Sequence, residues 1–149
     1  MRVGLLAAPL LACSAGTAAA DGQSVFDANC ALCHQAGGVG VPGQFPRLRT
    51  RAGAIAAKPE GKAFLVQVLL NGMGGRIMVD SEQILGAMPA FDSLADEDLA
   101  AVLTYVTSLD HKPVLYTAAD IKAGRAAPKR GPGEMAALHA SLNARKVVP

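Results

Sequence analysis

The sequence predicts an all-α fold, a few helices joined by long ordered loops, and three observations predict it. Apolar residues recur at helical spacing in four separate stretches. The segments between them are rich in Gly and Pro and show little strand-like alternation. The chain has 149 residues, one domain's worth, and 51% of them are apolar, yet only 4% are aromatic and none is Trp. A core with so few large side chains leaves room for a bulky apolar group, although an alanine-rich helical protein has the same composition.

The first helix is expected over 22–33, where Val25, Phe26 and Cys30 recur at helical spacing. The second, over 60–71, is "EGKAFLVQVLLN"; Phe64, Leu65, Val68 and Leu69 share a face, and Asn71-Gly72 is a stop signal. The third, over 96–109, carries a stripe of Leu99, Val102, Leu103 and Val106. Asp96, Glu97 and Asp98 crowd its first turn, where the helix dipole favours negative charge. A fourth, over 133–144, is only weakly amphipathic. Residues 37–46 and 72–91 are expected as loops and 123–134 as a flexible linker. Loops this long are uncommon unless functional, and a bound group is one thing that orders them.

Residues 1–20 have the pattern of an export signal. Arg2 supplies the positive start, residues 3–12 a short apolar run, and Ala18-Ala19-Ala20 a small-residue cleavage site before Asp21. The run is too short to span a bilayer and is interrupted by Pro9. Leu10-Leu11-Ala12-Cys13 offers a competing cut, similar to a bacterial lipoprotein box, that would leave a lipid anchor on Cys13 and a membrane-tethered protein. Either cut exports the chain. Residues 21–110 then form the main domain and 111–149 a C-terminal extension, partly helical or flexible. The charge divides at the same place: six Lys/Arg face ten Asp/Glu over 21–110, and seven face two over 111–149. A basic segment of this kind is either a solvated face or a docking arm for an acidic partner or an anionic membrane surface. Nothing has the aromatic interleaving of a nucleic-acid binder.

"NCALCH" concentrates the chemistry. With residues 1–20 removed, Cys30 and Cys33 are the only cysteines, and they stand directly before His34. As a structural disulfide the pair would close a loop that is already short. Structural zinc needs four ligands, and no second cysteine pair or closely spaced histidine pair exists. A redox dithiol belongs at a helix start after a strand, and no such strand is predicted. Gly38-Val39-Gly40-Val41-Pro42-Gly43 fits G-x-G-x-x-G, but the strand and helix that a nucleotide site requires are missing. Haem attachment accounts for every position. Two sulfurs three residues apart reach the vinyl groups and become thioethers, and His34 lies beneath the iron.

A second axial ligand is sought among Met73, Met78, Met88 and Met135, with His111 and His139 beside them. Met78 and Met135 are expected as core filler and Met73 as a loop residue. Met88 sits in "GAMPAF", between Gly86, which allows close backbone approach, and Pro89, which stiffens the next bond. It is the expected sixth ligand, and His111 and His139 are expected as exposed bystanders.

These residues resemble a class I c-type cytochrome of the bacterial monohaem, His/Met-ligated kind over about 21–110. Gly22 and Phe26 match the glycine and aromatic that precede the first cysteine, where the N-terminal helix crosses the C-terminal one, and Tyr105 resembles the opposing aromatic. Pro46 and Leu48 in "FPRL" match the proline and leucine after the haem histidine, the proline carbonyl holding the histidine's other ring nitrogen. "GAMPAF" followed by "LADEDLAAVLTYV" is similar to the methionine loop and last helix of such proteins. Two departures stand out. Ile84 and Leu85 are apolar where relatives often carry an aromatic and a polar residue. Ala95 occupies a position where relatives commonly have Ser or Thr, a cap whose loss costs about 0.5–2 kcal/mol unless Ser93 or Asp92 replaces it.

The resemblance implies the cytochrome c fold around one haem c, bound through Cys30 and Cys33. It also implies a periplasmic one-electron carrier that takes electrons from an exported dehydrogenase and passes them towards a terminal oxidase. No acid–base pair or nucleophile constellation lies between Cys33 and Met88, so no enzyme is expected. Two rivals remain: a fixed cytochrome subunit of a larger dehydrogenase or oxidase, and a haem enzyme or sensor with an open iron site.

Overall fold

The structure, a computed structural model, describes residues 21–110 and 112–149. The export signal, Cys13 and His111 lie outside the described residues. In chain order the elements are α1 (Gly22–Asn29), α2 (Ala31–His34), a single 3-10 turn (Ala36–Gly38), α3 (Arg51–Ala56), α4 (Pro59–Asn71), β1 (Met73–Val79), β2 (Glu82–Met88), α5 (Asp96–Ser108), α6 (Ala118–Ala126) and α7 (Pro132–Ala144). Three differences from the sequence expectations matter for the site.

The first helix is interrupted at Cys30, where φ is −118° and ψ −33°. α2 begins after it, and the Cys33 and His34 amides both donate back to the Cys30 carbonyl, at 3.2 and 2.9 Å. The arrangement is anchored from behind by the crossing of α1 and α5. A Cβ on Gly22 would lie 2.2 Å from the carbonyl oxygen of Ala101, so only glycine lets the two helices approach this closely. Phe26 is fully buried there, its ring centroid 5.5 Å from that of Tyr105. The three residues singled out for this crossing do meet.

Residues 72–91 are not a plain loop, and the fold is therefore not purely all-α. β1 and β2 form an antiparallel hairpin in which Met73 opposes Met88 and Val79 opposes Glu82. The two-residue turn, Asp80-Ser81, has φ of 54° and 68°. Positive φ at both positions is the turn geometry whose twist matches a hairpin. Ile77, Val79 and Ile84 form its buried face, while Leu85 and Met78 point to solvent. Met78 is 46% exposed and is not core filler.

The extension is helical and packed where a linker was expected. Gly124, inside the expected linker, lies on α6, and a Cβ there would come within 2.4 Å of Val66 on α4. The Gln67 side chain donates to the Gly124 carbonyl at 2.9 Å. Ile121 and Met135 are fully buried. Thr107, also fully buried, accepts a hydrogen bond from the Val114 amide at 3.3 Å, and Thr104 accepts one from the Tyr116 amide at 3.0 Å, so the connecting segment is bound to α5 as well. Arg125 fixes the segment that leads into α5, although as a donor it does not supply the acceptor that a cap would. Neither Ser93 nor Asp92 caps that helix; Arg125 donates to Asp96 Oδ1 at 2.7 Å and to the Asp92 and Leu94 carbonyls at 2.8 Å each.

Candidate haem site

His34 ends α2 and is buried. Its Nδ1 lies 2.8 Å from the carbonyl oxygen of Pro46. A carbonyl only accepts, so Nδ1 carries the proton and Nε2 keeps its lone pair for another partner. The loop from 35 to 46 is shaped for this contact: the Gly40 amide donates to the His34 carbonyl at 2.8 Å, and Val41 pairs with Phe45. Among the described residues α1 and α2 precede it and no strand does, which disposes of the nucleotide pattern. Burial pushes the His34 pKa down, with the Pro46 carbonyl opposing, so the ring is neutral and able to ligate.

Two adjoining cavities meet at His34. The larger, of about 240 Å³, is lined by Cys30, Cys33, His34, Phe45 and Ile84 among others. The smaller, of about 100 Å³, runs inward past Leu48, Phe64, Val68 and Leu103. Cys30, His34, Pro46, Met73, Ile77 and Met88 line both. The two cysteines are unpaired. Cys30 is pushed up to about 11, by burial first and by Cys33 second. A redox dithiol needs a depressed thiol, so the direction is wrong for that chemistry. Among the described residues no three His, Cys, Asp or Glu cluster as a metal site, which also leaves zinc without support.

What the residues can hold is a flat apolar group with a metal at its centre. The walls are almost wholly aliphatic and aromatic, two thiols stand at one edge, and a neutral imidazole with a free Nε2 faces the space. Methionine sulfur is available from Met88, half-buried against the cluster that contains Cys30 and Leu103. These features fit a covalently attached haem. The chain matches the family model "Cytochrome C oxidase, cbb3-type, subunit III" over residues 17–106. It is 41% identical to cytochrome c-552 of Thermus thermophilus over 115 residues, covering 73% of this chain and 77% of that protein.

The chain belongs to the class I c-type cytochromes. Two further relatives agree. Cytochrome c6 of Chlorolobion braunii is 38% identical over 87 residues, 57% of this chain and 83% of that protein. The cbb3-type cytochrome c oxidase subunit FixP of Sinorhizobium medicae is 36% identical over 93 residues, 62% of this chain but only 30% of FixP. As a monohaem c-type cytochrome the protein binds one haem c covalently through Cys30 and Cys33, and it serves electron transfer with redox protein partners.

Around that cofactor site the structure brings together Cys30, Cys33, His34, Pro46, Leu48 and Met88, all six of the residues selected from sequence. It also adds three. Met73 opens β1 directly opposite Met88 and lines both cavities, so it is no mere loop residue. His139 is buried rather than an exposed bystander. It lines the smaller cavity from α7, and burial, reinforced by the charge of Arg51, pushes it down to about 4. A signal for its burial existed: Met135, His139 and Leu142 follow the i, i+4, i+7 rule of a helix stripe, and all three are buried. Arg51 is buried in the wall of the smaller cavity, and nothing in "RTRAG" announces it.

Proposed function

We propose that this cytochrome is an exported one-electron carrier whose haem iron is held by Nε2 of His34 and the sulfur of Met88. Bound haem supplies a one-electron couple at its iron. The residues do the rest. Cys30 and Cys33 fix the porphyrin, Pro46 orients His34, and the aliphatic walls exclude water. With the His34 imidazole and the Met88 thioether both holding the iron, the reduction potential would be raised and no position would be left for substrate. The observation that carries this reading is the 2.8 Å contact between His34 and Pro46, because it frees Nε2 towards a cavity that Met88 also lines. Met88 is preferred to Met73 because Met88, not Met73, packs against the cluster containing Cys30.

An exported dehydrogenase as donor and a terminal oxidase as acceptor complete the proposal. No helix among the described residues is long and apolar enough to cross a membrane. A second reading, a fixed subunit of an oxidase, draws on the relationship to FixP, whose name is that of a cbb3-type oxidase subunit. Purification from the native source separates the two: a carrier elutes alone, and a subunit elutes with its complex.

The ligand assignment is tested by producing the protein with the haem-attachment machinery and comparing wild type with Met88→Ala, Met73→Leu and Met78→Ala. Covalent haem, resistant to acid–acetone, is expected in all four. Loss of the iron–thioether absorption band and a lower potential are expected in Met88→Ala alone. Loss of the band in Met73→Leu with retention in Met88→Ala would overturn the assignment.

A further inference from the structure

Among the described residues the buried side-chain nitrogens lacking any hydrogen bond are both on one group, Nη1 and Nη2 of Arg51. The side chain is only 5% exposed. Its nearest carboxylate oxygen, Oδ1 of Asp80, is 3.7 Å from Nη1, too far for a hydrogen bond. Asp80 is already committed to Arg47, which donates from Nε at 2.5 Å and from Nη2 at 3.1 Å. An arginine cannot shed its charge in a protein, and a buried cation without hydrogen-bonded compensation is strongly unfavourable. The fold therefore holds a permanent, uncompensated donor in the wall of an apolar cavity.

A second donor stands in the same wall. His139 is 4% exposed and lies against Phe64 with ring centroids 6.1 Å apart. Its ring makes no hydrogen bond among the described residues, although, unlike the two Arg51 nitrogens, its nitrogens are not sealed from solvent. Arg51 and His139 line the smaller cavity and not the larger, whereas Cys33 lines the larger and not the smaller. They come from α3 and α7, two parts of the chain that no local motif ties together. The chemistry of haem c gives this separation a meaning. Its vinyl-derived carbons, fixed to Cys30 and Cys33, lie on the edge remote from its two propionate carboxylates. With the thioether edge placed at the cysteines, the carboxylates extend away from Cys33.

We propose that Arg51 and His139 together form a carboxylate-binding site for the haem propionates, so that a side chain of the C-terminal extension completes the cofactor site. The inference rests on haem being seated against His34 as described above, but not on the choice of Met88 as sixth ligand. Arg51 neutralises carboxylate charge with hydrogen bonds from the two orphaned nitrogens. His139 contributes one N–H and, through α7, ties the extension to the haem.

The test uses holoprotein whose haem carries carbon-13 at the propionate carboxyls, introduced through labelled 5-aminolevulinate, with Arg51→Met, Arg51→Lys, His139→Phe and His139→Gln beside wild type. Isotope-edited infrared spectra should show the labelled carboxylate bands shifted in Arg51→Met and in His139→Phe. They should stay near wild type in Arg51→Lys and His139→Gln, which keep a cation or a donor. The potential should fall in Arg51→Met, because a lost cation favours the ferric state, and hold in Arg51→Lys. Unchanged bands in Arg51→Met and His139→Phe would overturn the proposal, as would a free anion occupying the site in place of the labelled groups. A shift in Arg51→Met alone would also overturn it, since the extension would then have no part. If Arg51→Met fails to accumulate, His139→Phe against His139→Gln decides. Absence of covalent haem from wild type would instead defeat the underlying assignment of the site.

Discussion

Replacing Ile121 with alanine tests whether the C-terminal extension is one cooperative unit with the haem domain. Ile121 is fully buried on α6, in the same cluster as Val66, Leu70, Leu103 and Tyr116. Truncation to alanine removes three carbons and leaves a cavity between helices that are also tied by the Gln67–Gly124 hydrogen bond, so collapse is hindered. Such truncations cost about 2–5 kcal/mol, and the tight surroundings place this one near the middle, at about 3 kcal/mol. For a chain of this size that corresponds to a fall in melting temperature of roughly 6–12 °C. The assay is a pair of melts on each holoprotein, one by far-ultraviolet circular dichroism and one by Soret absorbance. Both curves should move down together in Ile121→Ala. Leu115→Ala, at a side chain 70% exposed, serves as control and should shift by no more than about 0.5 kcal/mol. A Soret melt that stays at the wild-type temperature while part of the helical signal melts early would refute the argument, because the extension would then be an appendage.

Gly22→Ala places a methyl 2.2 Å from the Ala101 carbonyl oxygen and 2.9 Å from Tyr105 Cβ, so the α1–α5 crossing must open. The expected loss is about 1–3 kcal/mol, read as a lower denaturant midpoint, and an unchanged midpoint would contradict the crossing. Asp120 carries the acid response of α6. Its carboxylate is held below 3.8, first by the Thr117 amide and also by Lys62 at 3.1 Å. The folded state thus binds fewer protons than the unfolded state, and its stabilisation is complete above 3.8 and lost as pH falls through the lower folded value. Asp120→Asn should lower the melting temperature at neutral pH and flatten its decline in acid; melts with the same acid slope as wild type would count against this role.

The charge of the extension takes on a different meaning once it is packed. Arg125 pairs with Asp96 at 2.7 Å, Lys129 with Asp92 at 2.6 Å and Arg145 with Glu60 at 2.9 Å. Each is a bond between a basic residue of the extension and an acidic residue of the haem domain. The opposite charge balances of the two segments are therefore complementary within the molecule. Such exposed pairs are individually weak, typically about 0–1 kcal/mol. Their collective effect is on which face of the domain the extension covers, and that face is the one that brings His139 to the cavity.

How much of this was legible in the sequence depends on how local each cause is. The cysteines and His34 could be read because attachment chemistry fixes a spacing and a residue type, whatever the surrounding fold; Met88 is singled out by its Gly86 and Pro89 neighbours, and the fold puts it in the wall of both cavities. The helices over 59–71 and 96–108 could be read because a stripe of large aliphatics repeats through three turns. The hairpin could not: three glycines interrupt β1 and β2, and Ile77, Val79 and Ile84 are too few to show a period of two. α3 has six residues, too short for any period. The placement of Arg51 and His139 is a different case. Both look like surface residues by type, and both are buried because distant segments close over them. Among the described residues Arg51 finds no hydrogen bond to either buried Nη nitrogen, and His139 none to its ring. The helix stripe through Met135, His139 and Leu142 signals that His139 is buried, but the role of such a donor cannot be recognised by propensity or pattern. It is recognised in the fold, from a donor left without a partner beside a space of the right chemistry.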